Sequence, residues 1–151
     1  LEKENIDLSY MLLQMADEFY PVLVDHGNMI YVDVGENLKV VADADKLARV
    51  FNNILKNAIA YSDGGSVIEL RAMQLDKSVR VAISNHGRTI PKQKLQAIFE
   101  KFYRLDDARS SNTGGAGLGL AIAKEIVTLH GGTITAESEN QVTTFIVELP
   151  C

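Results

Sequence analysis

The sequence predicts an α+β domain with two layers, in which helices cover one face of a mixed, mainly antiparallel sheet. Segments with apolar residues at helical spacing alternate along the chain with short runs of β-forming residues, which is typical of such two-layer folds. Two pairs of these runs are close enough to form hairpins, which excludes an all-parallel sheet. The chain has 151 residues, 46% of them hydrophobic, so it can bury the core of one domain.

The first third of the chain is predicted to contain one helix and two strands. The helix is expected to begin after Asp7, which can cap its first turn, and to end at Gly27, with a kink or an earlier end at Pro21. Runs of β-forming residues follow at 29–34 and 38–42, and the Gly-Glu-Asn sequence between them predicts a turn.

The rest of the chain continues this alternation. A second helix is predicted from about residue 45 to residue 61, with Asp43 or Asp45 as its cap and a Ser-Asp-Gly-Gly sequence as its end. The remaining predicted elements are a hairpin of strands at 67–73 and 78–84, a helix of at most residues 91–102, a polar loop at 103–113 that we expect to be mobile, a helix ending at His130, and a hairpin of strands at 133–139 and 143–149.

Composition and charge narrow the classes of function. A net charge of −5 argues against a general nucleic-acid binder, although an acidic protein can still hold a nucleotide in a locally positive site. The single cysteine, Cys151, excludes a disulfide within the chain and fits a reducing compartment. No apolar run approaches the length of a membrane span, so we expect no membrane contact from residues 1–151. Because the chain begins with Leu1 rather than methionine, we expect it to be one domain of a longer protein.

The most informative segment is a glycine-rich sequence, GGAGLGL, at residues 114–120. It follows a polar loop and precedes a run of helix-forming residues. Glycine lets the backbone approach a ligand closely, and a helix N-terminus directs unpaired N–H groups and a positive dipole towards one point. The segment therefore predicts a phosphate-binding loop. The alternatives are a flexible linker or a helix cap, for which four glycines would be costly.

Two asparagines lie four residues apart in the second predicted helix. Asn53 and Asn57 therefore share one face of it, with Lys56 beside them. An amide oxygen is a hard ligand that suits Mg²⁺, and asparagine is a poor choice inside a helix unless it has a partner. Taken alone, two solvated polar residues are the better explanation.

Two further segments are informative only when they are considered together with the other motifs. In SNHGRTIP, at 84–91, Gly87 permits a sharp turn after a strand and Ile90 offers an apolar surface; an ordinary strand-to-helix loop explains the segment equally well. In IFEKFYRLDDARSS, we expect Phe99 and Phe102 to anchor the polar loop in the core, with Arg104 and Arg109 placed to bind phosphate. The alternative is the end of an amphipathic helix.

Together and in this order, the four segments resemble the motifs of sensor histidine kinases. NNILKNAIAYS is similar to the N box, SNHGRTIP to the G1 box, FEKF to the F box and GGAGLGLAIAKEIVTLHGG to the G2 box. One such motif is a weak signal, whereas four in order are a strong one, and the match covers nearly the whole chain. The chain is thus identified as a member of the family of catalytic and ATP-binding domains of these kinases. The resemblance implies the Bergerat-type α/β sandwich that they share with gyrase-type, HSP90-type and MutL-type ATPases.

The resemblance implies a site for ATP and Mg²⁺ under a lid formed by residues 103–114. Asn57 would coordinate Mg²⁺, Asn53 would assist and Arg104 would reach the terminal phosphate. Tyr61 would pack near the adenine, and Asn85 would face its amino group. The expected contacts to ATP are Asn53, Asn57, Tyr61, Asn85, Gly87, Ile90, Arg104, Gly115, Gly117, Leu118 and Gly119.

Three positions depart from the family pattern. Asn85 replaces an aspartate, so it can accept a hydrogen bond from adenine but carries no charge. Thr89 stands where a second glycine is usual, and Ala60 stands where many members carry a phosphate-binding lysine. Lys56, one turn earlier, is a weak candidate to replace that lysine.

The residue at position 53 also distinguishes kinases from ATPases among the proteins that this chain resembles. The ATPase relatives carry a glutamate at this position, which activates water, whereas an amide cannot act as a general base at neutral pH. The residue therefore favours phosphoryl transfer to a protein histidine over hydrolysis. His26, His86 and His130 lack the sequence context of the family's acceptor, and we expect them to be structural, with His130 at a helix end favoured by the dipole.

The acceptor histidine is expected in a separate dimerisation and phosphoacceptor domain of the same kinase, with a response regulator as the downstream partner. The resemblance places the chain on the cytoplasmic side of a bacterial membrane sensor, with sensor and membrane segments upstream. Two alternatives stay open. One is a nucleotide-binding module with weak catalysis, supported by the three departures, and the other is a serine kinase of the anti-sigma-factor type.

Overall fold

The computed structural model describes residues 1–103 and 118–151. Its elements are β1 Glu4–Asp7, α1 Leu8–Glu18, α2 Tyr20–His26, β2 Met29–Val34, β3 Lys39–Ala42, α3 Ala44–Ala60, β4 Val67–Gln74, β5 Ser78–His86, single 3₁₀ turns at Lys92–Lys94 and Ala97–Phe99, α4 Gly119–Leu129, β6 Thr133–Glu139 and β7 Val142–Pro150. None of these described helices is both long and apolar enough to cross a membrane.

The main sheet has five strands in the order β2-β4-β5-β7-β6. The β2–β4 pair is parallel, and the other three pairs are antiparallel. A separate antiparallel pair is formed by β1 and β3. The predicted fold class, a two-layer sandwich with a mixed and mainly antiparallel sheet, is confirmed.

Strict alternation along the central strands builds the core. In β5 and β7 every second residue is buried, and the buried set faces α3 and α4. The apolar stripe of α3 completes that interface, since Phe51, Leu47 and Leu55 are fully buried. Each such side chain contributes about 1.5–3 kcal/mol through burial, so α3 is fixed firmly on the sheet.

The first predicted helix is two helices. Asp7 caps α1 as predicted, accepting a hydrogen bond from the backbone N–H of Tyr10 at 3.0 Å. The break lies at Phe19, just before Pro21, which stands in the first turn of α2 where its missing N–H costs nothing. Gly27 ends α2 with φ of +76°, as the sequence indicated.

The strands β2 and β3 follow each other but do not pair. The turn predicted between them sends the chain from the main sheet to the small one, where β3 pairs with β1. No strand was predicted at residues 4–7, because only Ile6 of that segment is buried and the pattern is too short to detect.

The helix predicted at 91–102 is wrong. The chain forms two separate 3₁₀ turns there, and Glu100 takes an extended conformation that stops the second one. Phe99 packs edge-on against Phe145 at 6.3 Å between ring centroids, as an anchor should. Phe102 is 69% exposed with φ of +65°, so its predicted role as a second anchor is wrong.

The start of α3 and the end of α4 are joined through Asp43 and His130. The backbone N–H of Asp43 donates to Nε2 of His130 at 3.0 Å, while Nδ1 of His130 lies 2.8 Å from the carbonyl oxygen of Ile126. The neutral imidazole with its hydrogen on Nδ1 satisfies both bonds. His130 is therefore structural, as expected, although hydrogen bonds rather than a charge on the helix dipole hold it.

Asp43 itself caps α3. Backbone N–H groups of Glu2 and Lys46 donate to its carboxylate at 3.0 and 3.2 Å. These two bonds, the one from Glu2 first, hold the pKa of Asp43 below its ordinary value. The choice between Asp43 and Asp45, left open by the sequence, is settled in favour of Asp43.

Candidate functional site

A pocket of about 430 Å³ opens between α3, the loop after β5, β7 and the start of α4. Its apolar lining includes Ile98, Leu120 and Phe145. Four residues predicted for the site line it together, although they are far apart in the sequence: Asn57, Tyr61, Asn85 and Ile90. Their convergence is what a binding site requires.

One wall of the pocket is the exposed side of α3. Asn57 and Tyr61 lie one turn apart on it, at the end of the helix, while Leu55 and Ile59 on the opposite side are buried in the core. Asn53, one turn earlier, does not line the pocket. Its amide nitrogen donates to the carbonyl oxygen of Gly119 at 3.0 Å, which ties α3 to the first residue of α4.

The floor of the pocket carries a buried amide. Asn85 is only 4% exposed and lies opposite Thr143 in the β5–β7 register. No described residue forms a hydrogen bond with the Asn85 side chain, although the group is more than nine-tenths buried. Because Asn85 lines the pocket, its amide can reach a ligand bound there.

Thr143 is a pocket residue that the sequence analysis missed. It is 3% exposed and lies on the inward face of β7, in line with Phe145 and Val147. A hydroxyl on an otherwise apolar strand face is the signal that could have found it. Arg88 and Lys94 were missed as well, and both are exposed cations at the pocket.

Gly87 is required by a close approach rather than by its backbone angles. A Cβ at this position would overlap the carbonyl oxygen of Tyr61, at the end of α3. The adjacent backbone reinforces this junction, because Asp63 N–H donates to the carbonyl oxygen of His86 at 2.7 Å. The loop after β5 is therefore pressed against the C-terminus of α3, as the prediction of a sharp turn required.

Several predictions concern residues outside the described part of the chain. They are Arg104, Arg109, Gly115, Gly117 and the lid proper. On either side of that segment, Tyr103 lines the pocket, Leu118 is the N-cap residue of α4 and Gly119 its first residue. Lys56 is exposed, and neither it nor Ala60 lines the pocket, which gives no support to Lys56 as a substitute for the family lysine.

Comparison with protein families gives a match over residues 42–151. The family is described as histidine kinase-, DNA gyrase B- and HSP90-like ATPase. Among curated proteins, the sensor protein VanS of Enterococcus faecium is 61% identical over 99% of this chain, which spans 39% of that relative. The sensor protein VanSC of Enterococcus gallinarum is 41% identical over 99% of the chain, which spans 41% of its length. The chain thus spans about two fifths of these relatives.

Solved structures show the same architecture. The nucleotide-free catalytic domain of the histidine kinase ThkA superposes with a TM-score of 0.88 at 26% identity, covering 99% of this chain and 96% of that one. ThkA has also been solved with the response regulator TrrA, with a TM-score of 0.84, 25% identity and coverage of 98% and 41%. Full-length ShkA with AMPPNP matches with a TM-score of 0.85 at 28% identity, covering 99% of this chain and 31% of ShkA.

Proposed function

This chain belongs to the histidine kinase-, DNA gyrase B- and HSP90-like ATPase family as a histidine kinase catalytic domain, and we propose how its residues serve that activity. In this proposal the pocket holds ATP with Mg²⁺, and the γ-phosphate passes to a histidine on a separate dimerisation domain of the same kinase. The observation that carries the proposal is the buried amide of Asn85 in the pocket floor.

The pocket fits an adenine ring on three counts. The side-chain oxygen of Asn85 can accept a hydrogen bond from the exocyclic amino group of adenine. Ile90 and Tyr61 add apolar surface to the lining. At Gly87 the absence of a side chain brings the loop close to α3 and narrows the site at this end.

The α3 wall fits a hydrated metal ion bound to phosphates. Asn57 lines the pocket, and its amide oxygen is the kind of ligand that Mg²⁺ accepts while keeping several waters. When bound, Mg²⁺ supplies charge neutralisation for the phosphate oxygens. Asn53 assists by position, since its bond to Gly119 sets the start of α4 beside the same wall. The glycine segment before α4 would complete the phosphate site with Gly115, Gly117 and Leu118, and Arg104 would bind the terminal phosphate.

Transfer, rather than hydrolysis, follows from Asn53. Its amide cannot take a proton from water, and its nitrogen is committed to Gly119. Two histidines of this chain are engaged in structural hydrogen bonds, His26 with Asn28 and His130 with Asp43. His26, His86 and His130 also lack the sequence context of the family's acceptor, which supports an acceptor on another domain, with this chain contributing binding and orientation.

The relatives suggest the biological setting. With VanS and VanSC as similar proteins, we place the chain in the cytoplasmic part of a membrane sensor kinase that regulates vancomycin resistance. Its partners would be its own phosphoacceptor domain and, through the full-length kinase, a response regulator; ThkA provides a precedent for the latter. Nucleic acid is not among the proposed partners, in keeping with the net charge of −5.

Calorimetric titration with ATP and ADP, with and without Mg²⁺, tests nucleotide binding. We expect micromolar affinity that depends on Mg²⁺, and an absence of binding would contradict the proposal in favour of the weak module. Adding a dimerisation and phosphoacceptor domain from VanS with labelled ATP then tests transfer. An acid-labile phosphoprotein is expected, because phosphohistidine is lost in acid; an acid-stable one would indicate a serine kinase instead.

A further inference from the structure

We propose that Thr89 fastens the loop at 86–91 to the turn of the β6–β7 hairpin and thereby sets the affinity of the pocket for the adenine end of a nucleotide. Thr89 itself lines the pocket, and in this view it acts by positioning Asn85 and Ile90. The inference rests on the proposed function, since it concerns the same pocket.

The connection is a reciprocal pair of hydrogen bonds to one residue. The backbone N–H of Gln141 donates to Oγ1 of Thr89 at 2.8 Å, and its carbonyl oxygen accepts from the N–H of Gly87 at 2.9 Å. We call the three residues Gly87, Thr89 and Gln141 the hairpin clasp. The N–H and the carbonyl group of Gln141 are thus both hydrogen-bonded to the loop at 86–91, which forms one side of the pocket.

A second link runs beside the clasp and into the pocket floor. The N–H of Ile90 donates to Oγ of Ser138 at 2.8 Å, and that oxygen lies 2.8 Å from Oγ1 of Thr143. Ile90 and Thr143 both line the pocket. The hairpin therefore holds the loop at three residues, Gly87, Thr89 and Ile90, next to the proposed adenine contacts.

The turn of the hairpin is itself in a demanding conformation. Asn140 and Gln141 have φ of +52° and +65°, the left-handed region that a two-residue hairpin turn needs and that glycine favours at its second position. Gln141 occupies that second position. The bonds from Gly87 and Thr89 fix its backbone groups in this conformation, so the loop and the turn stabilise each other.

This geometry gives a reason for the departure at position 89. A glycine there would provide no acceptor for the N–H of Gln141, whereas the threonine hydroxyl does. Thr89 and Gln141 are both exposed, so water competes for the bond and its net effect is modest. Because coupling is reciprocal, a nucleotide that orders the loop must also protect the N–H of Gln141.

The test compares Thr89→Val, which removes the acceptor at nearly constant shape, with Thr89→Ser, which keeps it. Thr135→Val, on an exposed position of β6, controls for the general effect of the substitution in a strand. Amide exchange of Gln141 is measured in the nucleotide-free chain, and the Kd for ADP by calorimetry. For Thr89→Val we expect faster exchange and a Kd raised roughly 2- to 10-fold, the range for one hydrogen bond.

Thr89→Ser and Thr135→Val should stay within about twofold of the wild type in Kd. Unchanged exchange at Gln141 in Thr89→Val would overturn the clasp, and faster exchange with an unchanged Kd would overturn its positioning role. A wild-type chain that binds no ADP would instead overturn the proposed function together with the affinity claim, and is recognised before any variant is made.

Discussion

The two sides of the pocket are held in different ways. The α3 side is a helix whose other face is buried in the core, where Phe51 and Leu55 are fully buried. The loop side, residues 86–91, buries one apolar side chain in the core, that of Ile90, and otherwise depends on a close approach to Tyr61 and on hydrogen bonds to Gln141. Damage to the first should therefore reduce the stability of the whole domain, whereas damage to the second should reduce ligand affinity.

The largest effect should come from the core behind the α3 side. Phe51→Ala removes a fully buried ring and should lower the free energy of unfolding by about 3–5 kcal/mol, because a cavity remains where the ring was. Urea denaturation measures it, with Phe51→Leu as a control of smaller volume change. A loss below about 1 kcal/mol, typical of surface sites, would contradict the assignment of α3 as the fixed side.

Gly87→Ala should damage the loop side most. The new Cβ would meet the carbonyl oxygen of Tyr61, so the loop must move away from α3 and the adenine end must widen. We expect the Kd for ADP to rise about 10-fold or more, with a loss of stability of about 1–2 kcal/mol. Gly64→Ala is the matched control, since its nearest neighbour is the carbonyl oxygen of His26 at 3.7 Å.

Asn57→Ala separates the ligand-binding role of α3 from its structural role. The side chain faces the pocket, so stability should change by less than about 1 kcal/mol, while the gain in nucleotide affinity on adding Mg²⁺ should disappear. Calorimetry with and without Mg²⁺ measures this. Asn52→Ala, on the same helix but away from this pocket, should keep the gain. A persistent gain in Asn57→Ala would remove Asn57 from the metal site.

The smallest effect concerns the far end of α3. The pKa of Asp43 is lowered by hydrogen bonds present only in the folded state, so its stabilisation is complete above the unfolded value near 3.8 and is lost as the pH falls through the lower folded value. Asp43→Ala should therefore be less stable than the wild type at neutral pH, and the difference should shrink towards pH 3. Chemical denaturation across this range checks the trend, and a difference that grows in acid would contradict it.

The two sides of the pocket also differ in how much of each could be predicted from the sequence. The α3 side was predictable because periodicity and capping are local, and Asn57 and Tyr61 were identified with it. The loop side was predictable only in part, since a short motif indicated Gly87, Asn85 and Ile90 but not their partners.

The predictions that failed all depend on contacts between segments that are distant in the sequence. The strand β1 forms because it pairs with β3. The segment 91–102 forms two 3₁₀ turns beside the pocket instead of one helix. The side chain of Phe102 is exposed, and its backbone has a left-handed conformation. Thr143 and Gln141 reach the site through strand register and turn geometry, which no spacing along the chain expresses. The roles of Arg104, Gly115 and Gly117 remain predictions, because these residues lie outside the described part of the chain.

The parallel pairing of β2 with β4 has a consequence for the order of folding. Among the described strands β2 pairs with β4 alone, and the chain between them contains β3 and the whole of α3. No β2–β4 bond can form until this excursion has closed, whereas β4 and β5 meet across a tight turn. The two hairpins should therefore form early, and the longer-range β2–β4 and β5–β7 pairings should follow. The stretch that contains α3, the helix with the N box, must close before β2 can join the sheet.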